Sequence, residues 1–322
     1  MILALAGGVG GAKLANGFAK ILDPDQLLVV VNTGDDFEHF GFPISPDLDT
    51  VTYTLAGMNN AEAGWGLAGE SWEFMNALER LGGEGWFRLG DQDLATHVMR
   101  AKFLNEGQNL SDVTARIARR FGILHPIVPM SDQRVRTVVE TETGKMPFQI
   151  YFVRERCVPV TKHIHYEGAN EAVPSEKFAA ALDRDDLSSI IICPSNPLLS
   201  VAPILALPEV RGRLISHNAP VIAVSPIIGG ETVKGPAAKI FRELDLEVSA
   251  LGVARYYGDL LDGIVIDSKD AALASSISEV GPQTLATGIL MQSSSDQIQL
   301  AREVMEFSKL LSRRDDRGVG ET

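Results

Sequence analysis

The start of the chain constrains the fold more than any other stretch. Residues 1–6, MILALA, form a short apolar run without charge, which predicts a strand buried on both faces of a parallel sheet. The glycine-rich run GGVGG follows at residues 7–11, and then Leu14, Phe18 and Ile21 recur at helical spacing. A strand, a glycine turn and a helix in this order direct backbone N–H groups and the positive end of a helix towards an anion, commonly a phosphate.

The spacing of these glycines matches neither common nucleotide signature. A dinucleotide fingerprint that begins at Gly8 needs glycine where Lys13 stands, and a P-loop needs Gly-Lys-Ser/Thr where the chain has Ala-Lys-Leu. An NAD-dependent dehydrogenase is therefore disfavoured. A tight strand-to-helix turn without a ligand is one interpretation. We favour the other, an unorthodox phosphate site that uses Gly8, Gly10, Gly11 and Lys13.

Composition and charge exclude several classes of protein. The chain has 322 residues, of which 45% are hydrophobic and 22% charged, so one large α/β domain or two smaller ones can form. A net charge of −13 disfavours sequence-independent binding of nucleic acid. Cys157 and Cys193 predict neither a disulfide framework nor a zinc site. No apolar stretch approaches the roughly 18 residues that span a bilayer, and the start lacks a basic leader. We therefore expect a soluble cytoplasmic protein without a membrane partner.

Acidic residues follow the second predicted strand. Leu27–Val31 is an apolar run, and it leads directly into Asn32, Thr33, Gly34, Asp35 and Asp36. Carboxylates just past a parallel strand lie at the edge of the sheet where α/β folds bind their ligands. The sequence therefore places these side chains at a binding site.

A second acidic segment begins a helix. Ser45 is predicted to cap it, Pro46 suits the first helical position, and Asp47 and Asp49 fall in the first turn. Gly57 is expected to end the helix. Compensation of the helix dipole is one interpretation of the two carboxylates, but their proximity to the Asp35 loop favours a role in the site.

Residues 58–90 are rich in glycine and tryptophan, and we expect helix and loop here as a cover over the site. Tryptophan more often packs in a core, although it also suits a flat aromatic ligand. The next helix starts with Asp91 and Asp93, and His97 follows one turn later. A single histidine is usually structural, but these carboxylates make membership of the site an equal alternative.

The pattern of polar and apolar residues changes after residue 134. Residues 135–139 and 148–153 alternate in polarity around a turn at 142–145, which predicts an antiparallel hairpin in a small β-rich insertion. A helix opened by Ser111 precedes it. Apolar strands resume at 189–193 and 220–224, and 264–266 and 288–291 are further candidates.

Polar or glycine-bearing loops follow the apolar strands, and in a doubly wound sheet such loops form one crevice. The sequence thus predicts an α/β fold with a doubly wound, mostly parallel, Rossmann-like sheet and a small β-rich or α+β insertion. The predicted divisions are a core at 1–133 with a helical cover at about 58–110, the insertion at 134–168, the rest of the core at 169–311 including a helix from 296, and a disordered tail at 312–322.

The motifs together resemble the 2-phospho-L-lactate transferase (CofD) family of coenzyme F-420 biosynthesis. The matching stretches are 7–14 (GGVGGAKL), 31–36 (VNTGDD), 44–50 (ISPDLDT), 90–97 (GDQDLATH), 129–132 (PMSD), 193–197 (CPSNP) and 225–230 (SPIIGG). One position departs from the pattern, because the family usually has Arg or Lys where this chain has Gln92.

This resemblance implies the transfer of a phospholactyl-type group, or of its enolpyruvyl or glyceryl analogue, from a guanosine diphosphate ester. The implied acceptor is the ribityl hydroxyl of 7,8-didemethyl-8-hydroxy-5-deazariboflavin (FO), and GMP is released. The resemblance also implies a homodimer. The sequence does not distinguish between the donor acids.

The expected chemistry requires a cation, because an anionic donor would be repelled by this many aspartates. Mg²⁺, which binds through a few carboxylates plus phosphate, fits the pattern. We predict Asp36 and Asp49 as catalytic residues and metal ligands, with Asp49 orienting or deprotonating the acceptor hydroxyl. The predicted substrate-binding residues are Gly8, Gly10, Gly11, Lys13, Asn32, Thr33, Asp35, Asp47, Thr50, Asp91, Gln92, His97, Ser195 and Asn196.

A non-catalytic protein is the alternative. A related family with similar glycine and aspartate loops binds UDP-sugars and regulates cell-wall and carbon metabolism. The pair of acidic segments at residues 32–36 and 45–50 favours the transferase.

Overall fold

The computed structural model describes residues 1–233 and 235–318. The strands are β1 (Ile2–Ala6), β2 (Leu27–Val31), β3 (Phe37–His39), β4 (Phe42–Ile44), β5 (Ile127–Pro129), β6 (Arg136–Thr141), β7 (Gly144–Pro147), β8 (Thr161–Glu167), β9 (Ser189–Ile192), β10 (Val221–Val224), β11 (Ile227–Ile228), β12 (Glu231–Thr232), β13 (Gly263–Asp267) and β14 (Gln283–Thr287). The helices are α1 (Gly8–Ala19), α2 (Pro46–Leu55), α3 (Glu73–Arg80), α4 (Asp91–Asn105), α5 (Leu110–Arg120), α6 (Glu176–Leu182), α7 (Ala202–Leu205), α8 (Val210–Ile215), α9 (Ala237–Glu243), α10 (Ala250–Tyr257), α11 (Ala274–Glu279) and α12 (Ser294–Gly318).

The central sheet confirms the predicted fold class. Its seven strands are all parallel in the order β14-β13-β10-β9-β1-β2-β5. The chain runs outward from β1 to β2 on one side and from β9 to β10 on the other, so the order reverses between β1 and β9. In doubly wound sheets this reversal opens a crevice at the carboxyl ends of the strands, where ligands bind.

Apolar side chains from both faces of the sheet form the core. Every residue of β1 and β2 is buried, which explains why these strands are apolar throughout rather than alternating. Leu14 and Phe18 of α1 pack with Val304 of α12 in the cluster on one face. The helices from α6 to α11 contribute to the cluster on the other face.

The insertion differs from the predicted hairpin in one strand. β6 pairs with β7 and β8 in an antiparallel sheet, whereas residues 148–153 are mostly helical and include a wide helical turn over Ile150–Arg154. The buried apolar side chains here, Phe148 and Tyr151, are three residues apart, which is a helical spacing rather than the alternation of a strand. The predicted strand at 148–153 is therefore wrong.

Three other boundaries differ from the prediction. The last strand of the sheet is β14, not residues 288–291, because an edge strand is partly exposed and lacks a long apolar run. α5 begins before Ser111, since the side chain of Asn109 accepts the N–H of Asp112 and caps it. α12 extends to Gly318, so the helix continues into the segment predicted as a disordered tail, and residues 319–322 lie outside the described residues.

Among the described helices, none is both long and apolar enough to cross a bilayer. Both cysteines are free, and burial raises the pKa of the Cys157 thiol to about 11.

Candidate functional site

A cavity of about 920 Å³ lies at the carboxyl edge of the central sheet. Its wall is formed by the glycine turn after β1, the start of α2, the loop after β9 and the loops that follow β10 and β14. The cover between α2 and α4 and the helical turn of the insertion close the remaining sides. The structure therefore places one large cavity where the strand order reverses.

The glycines of the turn do different things. Gly8, at the start of α1, has a φ of +62°, and a Cβ there would meet nothing within 4 Å. A Cβ on Gly10 would lie 2.2 Å from the Pro194 carbonyl oxygen, and one on Gly11 would lie 2.5 Å from Ser195 Oγ. Gly10 and Gly11 thus allow the loop after β9 to approach the turn, whereas Gly8 faces open space beside the cavity.

Ser195 and Asn196 line the cavity, but their oxygens are used within the protein. Ser195 Oγ accepts the N–H of Gly7 at 3.1 Å and donates to the carbonyl oxygen of Gly7 at 2.8 Å. Asn196 Oδ1 accepts the N–H groups of Leu198 and Leu199. Both side chains fix backbone around the cavity: Ser195 fixes the glycine turn itself, and Asn196 fixes its own loop.

Two carboxylates, Asp35 and Asp47, lie on the cavity wall. Asp47 Oδ1 accepts the N–H of Gly8 at 2.7 Å, and Asp47 Oδ2 accepts from the side-chain amide of Asn32 at 2.9 Å. Burial raises the pKa of Asp47 to about 6. Burial, followed by repulsion from Asp47, raises the pKa of Asp35 well above its usual range, and Asp35 Oδ1 is buried without a hydrogen-bond partner in the described structure.

Asp36 lies behind this wall. Its Oδ2 accepts the hydroxyl of Ser45 at 2.8 Å, while its Oδ1 is buried and has no hydrogen-bond partner among the described residues. Burial raises the pKa of Asp36 to about 7, although the positive charge of Arg136 acts against this shift. Ser45 occupies the predicted cap position of α2, but its side chain makes no capping hydrogen bond because the hydroxyl is committed to Asp36.

Asp49 belongs to a buried polar cluster between α2 and α4. Both of its oxygens contact the guanidinium of Arg100, which is only 3% exposed. Arg100 Nη1 also donates to His97 Nδ1 at 3.1 Å, so the ring proton of a neutral His97 lies on Nε2, 3.4 Å from Asp93 Oδ2. Tyr53 completes the cluster by donating its hydroxyl to Asp93 Oδ1 at 2.5 Å.

This cluster has the residue types of a metal site. One ligand atom from each of Asp49, Asp93 and His97 can be chosen so that all lie within 4.8 Å of one another. However, the guanidinium of Arg100 already supplies a positive charge at Asp49, and a divalent ion there would be repelled by it. The arrangement is that of a buried ion-pair network.

Asp91 and Gln92 lie in the cover. The carboxylate of Asp91 accepts the N–H groups of Glu73 and Phe74 at the start of α3, each at 3.0 Å. The hydrogen bond from the Ser71 hydroxyl, followed by these backbone bonds, lowers the pKa of Asp91. The backbone N–H of Gln92 donates to Glu70 at 2.8 Å. These residues connect the cover to the start of α4.

The structure therefore sorts the predicted site residues into three groups. On the cavity wall lie Gly8, Gly10, Lys13, Asp35, Asp47, Thr50, Ser195 and Asn196. Behind the wall lie Gly11, Asn32, Thr33, Asp36, Asp49 and His97, and in the cover lie Asp91 and Gln92.

An aromatic side of the cavity was only partly anticipated. Trp65, Trp86, Phe148 and Phe152 all contribute to its wall. Phe148 and Phe152 are stacked, with ring centroids 5.3 Å apart and an interplanar angle of 13°. The tryptophans were recognised as candidates for an aromatic ligand, whereas the phenylalanines were assigned to a strand. Their spacing of four residues, typical of one helix face, was the available signal.

Comparison with known proteins shows the family to which the sequence is similar. A family model described as 2-phospho-L-lactate transferase CofD matches residues 2–287. A 2-phospho-L-lactate transferase of Methanosarcina mazei is 37% identical over 305 residues, covering 95% of this chain and 99% of that protein. A phosphoenolpyruvate transferase of Streptomyces griseus is 37% identical over 314 residues, covering 96% and 98%.

Solved structures are similar in fold. Protein BH3568 of Bacillus halodurans, a member of the UPF0052 family, aligns with a TM-score of 0.61 over 94% of this chain and 98% of its own. At 13% sequence identity, the likeness is one of fold alone.

Proposed function

The chain belongs to the 2-phospho-L-lactate transferase CofD family and is a transferase, and we propose that it moves a phospholactyl-type group onto the deazaflavin FO. The donor in this proposal is a guanosine diphosphate ester of lactate, or of its enolpyruvyl or glyceryl analogue, so that the second phosphorus carries the acid. The ribityl hydroxyl of FO attacks the phosphorus that carries the acid, the bond to GMP breaks, and GMP leaves with the electron pair. The product is a precursor of coenzyme F-420.

The observation that carries this proposal is the two-sided character of one cavity. The glycine turn and the start of α1 suit an anion, while five aromatic side chains form an apolar side: Trp65, Trp86, Phe87, Phe148 and Phe152. A volume of about 920 Å³ is at the upper end for a ligand pocket, which suits a nucleotide donor and a flat acceptor held together. Direct transfer requires both substrates in one site.

The nucleotide end has one positively charged wall residue close to the turn. Lys13 of α1 lines the cavity and donates from Nζ to the carbonyl oxygen of Met291 at 2.7 Å. A charge held in this way can attract a diphosphate without moving, so it contributes through preorganised electrostatics. Thr50, one turn along α2 from Asp47, offers a hydroxyl on the same wall.

The described residues fit a divalent cation such as Mg²⁺. Asp35 Oδ1 and Asp36 Oδ1 are buried carboxylate oxygens without hydrogen-bond partners, which is the donor type that Mg²⁺ prefers. Asp35 and Asp36 would hold the ion, and when bound it would neutralise charge on the donor diphosphate. Asp49, which the sequence predicted as a ligand, is not a ligand in this proposal and Asp35 takes its place, because both oxygens of Asp49 already contact Arg100.

The proton of the acceptor hydroxyl needs a nearby base. Asp35 and Asp47 are the buried carboxylates on the cavity wall, and both have a raised pKa, as a base that works near neutral pH requires. Asp49, the base predicted from the sequence, lies behind the wall in the ion pair with Arg100. Its contribution to turnover would then be indirect, through the position of α2.

The homodimer and the cytoplasmic location stay predictions. Light scattering of the purified chain at several concentrations measures the first, and a mass of one chain at all of them would contradict it. The net charge of −13 continues to argue against a nucleic-acid partner.

The test of the proposed function is product analysis by mass spectrometry. Purified protein is incubated with FO, Mg²⁺ and each of the three donors in turn, and GMP is measured in the same reactions. We expect a product with one donor in clear preference to the others, together with an equal amount of GMP. No product from any donor, combined with a rise in melting temperature on adding a UDP-sugar but not FO, would favour the regulatory alternative.

A further inference from the structure

The first backbone N–H of α1, in the glycine turn, is already bound by a carboxylate. α1 begins at Gly8, and its first backbone N–H groups have no partners within the helix. Asp47 Oδ1 accepts the Gly8 N–H at 2.7 Å. Any anion that binds at this turn must therefore compete with Asp47 for this donor or lie directly beside its charge.

Asp47 is held in this position from its other side. Its Oδ2 accepts from Asn32 Nδ2, which also donates to the carbonyl oxygen of Leu199 at 3.3 Å. A Cβ added at Gly7 would lie only 2.6 Å from Asp47 Oδ2, so the carboxylate packs directly against the backbone of the turn. Only 6% of Asp47 is exposed. The charge thus cannot leave the turn by a simple rotation into solvent.

A second carboxylate strengthens the negative field. Asp35 lines the same wall, is 6% exposed, and has a buried oxygen without a hydrogen-bond partner among the described residues. On the same wall, α1 contributes one basic residue, Lys13, whose positive charge opposes the charges of Asp35 and Asp47. Charges a few ångström apart in a partly buried site interact strongly enough to decide whether an anion binds.

We propose that Asp47 prevents a diphosphate without a cation from binding at the glycine turn, so that the nucleotide donor binds only together with a divalent cation. The proposal rests on the proposed function, since it concerns the donor's diphosphate. It gives Asp47 a role distinct from that of the other acids: its negative charge, held at the Gly8 N–H that the diphosphate would otherwise use, enforces joint binding with a cation. Nucleotide without a cation is then excluded from the cavity.

The test measures binding of GDP by calorimetry, first in EDTA and then in Mg²⁺. For the unaltered protein we expect affinity in Mg²⁺ to exceed that in EDTA by at least about tenfold. Asp47→Asn keeps the shape but removes the charge, so its affinity in EDTA should rise by about tenfold or more. Asp47→Glu keeps the charge and should retain the dependence on Mg²⁺.

Asp35→Asn is the matched control, because it removes a wall charge but leaves the contact between Asp47 and Gly8 in place. A gain in EDTA as large as that of Asp47→Asn would overturn the proposal in favour of a general charge effect. Unchanged affinity of Asp47→Asn in EDTA would also overturn it. Circular dichroism confirms folding, and Asp47→Ser supplies the same measurement if the Asn variant is unfolded.

The proposed function fails in a distinguishable way. If the unaltered protein does not bind GDP even in Mg²⁺, the donor assignment is wrong, and the inference about Asp47 is overturned with it. If the unaltered protein binds GDP equally well in EDTA and Mg²⁺, the donor assignment stands and only the role of Asp47 is refuted.

Discussion

Replacing Asp49 with Asn separates a catalytic from a structural role. From the sequence, Asp49 was predicted to act on the acceptor hydroxyl, so this change should lower turnover on the order of a hundredfold without altering stability. In the structure, both Asp49 oxygens contact the buried guanidinium of Arg100. Asp49→Asn would therefore leave a buried positive charge without its counter-ion.

The expected magnitude follows from this burial. Asp49 is 6% exposed and Arg100 is 3% exposed, so solvent compensates little for the lost partner. Removing one member of a buried ion pair typically costs about 3–5 kcal/mol of unfolding free energy. For a chain of 322 residues, that loss corresponds to a fall in melting temperature of about 4–7 °C.

Thermal unfolding and steady-state turnover should be measured on Asp49→Asn, Arg100→Met and the double variant. The double variant should recover much of the lost stability, because it removes both charges instead of leaving one unpaired. Asp25→Asn, at an exposed position, controls for the change in net charge. A melting temperature for Asp49→Asn within about 2 °C of the unaltered protein, with turnover reduced about a hundredfold, would refute this reasoning.

Three further predictions concern the glycine turn, Asp36 and the cation. Gly10→Ala places a Cβ 2.2 Å from the Pro194 carbonyl oxygen and should lower the free energy of unfolding in urea by about 1–3 kcal/mol. The Cβ of Gly8→Ala meets no atom within 4 Å, but the positive φ at this position should lower the free energy of unfolding by about 1–2 kcal/mol, and GDP binding should weaken. Equal stability of Gly10→Ala and the unaltered protein would contradict the packing. Burial raises the pKa of Asp36 from 3.8 to about 7, so the stability contributed by its protonated form is lost as pH rises from about 4 to about 7. In metal-free buffer, the stability of Asp36→Asn minus that of the unaltered protein should therefore be larger at pH 8 than at pH 4, by a few kcal/mol. A difference that does not change with pH would contradict this prediction. Transfer should stop in EDTA and return with Mg²⁺, and full activity in metal-free buffer would exclude the cation.

The strands that the sequence predicted best are those buried on both faces. β1, β2, β9 and β10 are continuous apolar runs because helices cover each side of the sheet, so their pattern is distinctive. β14 was missed because it lies at the edge and is partly exposed. The hydrophobic pattern of a sequence depends on which side chains are buried, and too few side chains of an edge strand are buried to give a clear pattern.

The convergence of acids at one sheet edge could also be predicted, since it follows from the parallel topology. The partner of Asp49 could not, because Arg100 lies 51 residues further along the chain in a helix of mixed polarity. A single arginine gives no sign in the sequence of which carboxylate it will meet. The same holds for Ser195, whose bonds to Gly7 span 188 residues.

The different roles of Asp47 and Asp49 follow from helix geometry. With 3.6 residues per turn, residues two apart on α2 point about 200° away from each other. Asp47 therefore faces the glycine turn, and Thr50, three residues on, shares the cavity wall with it. Asp49 faces α4, as does Tyr53, four residues on, which donates to Asp93. Two carboxylates on opposite sides of one helix cannot hold the same ion. In the proposed mechanism, a cation beside Asp47 would therefore take its ligands from the loop after β2, where Asp35 and Asp36 each have an oxygen without a hydrogen-bond partner among the described residues.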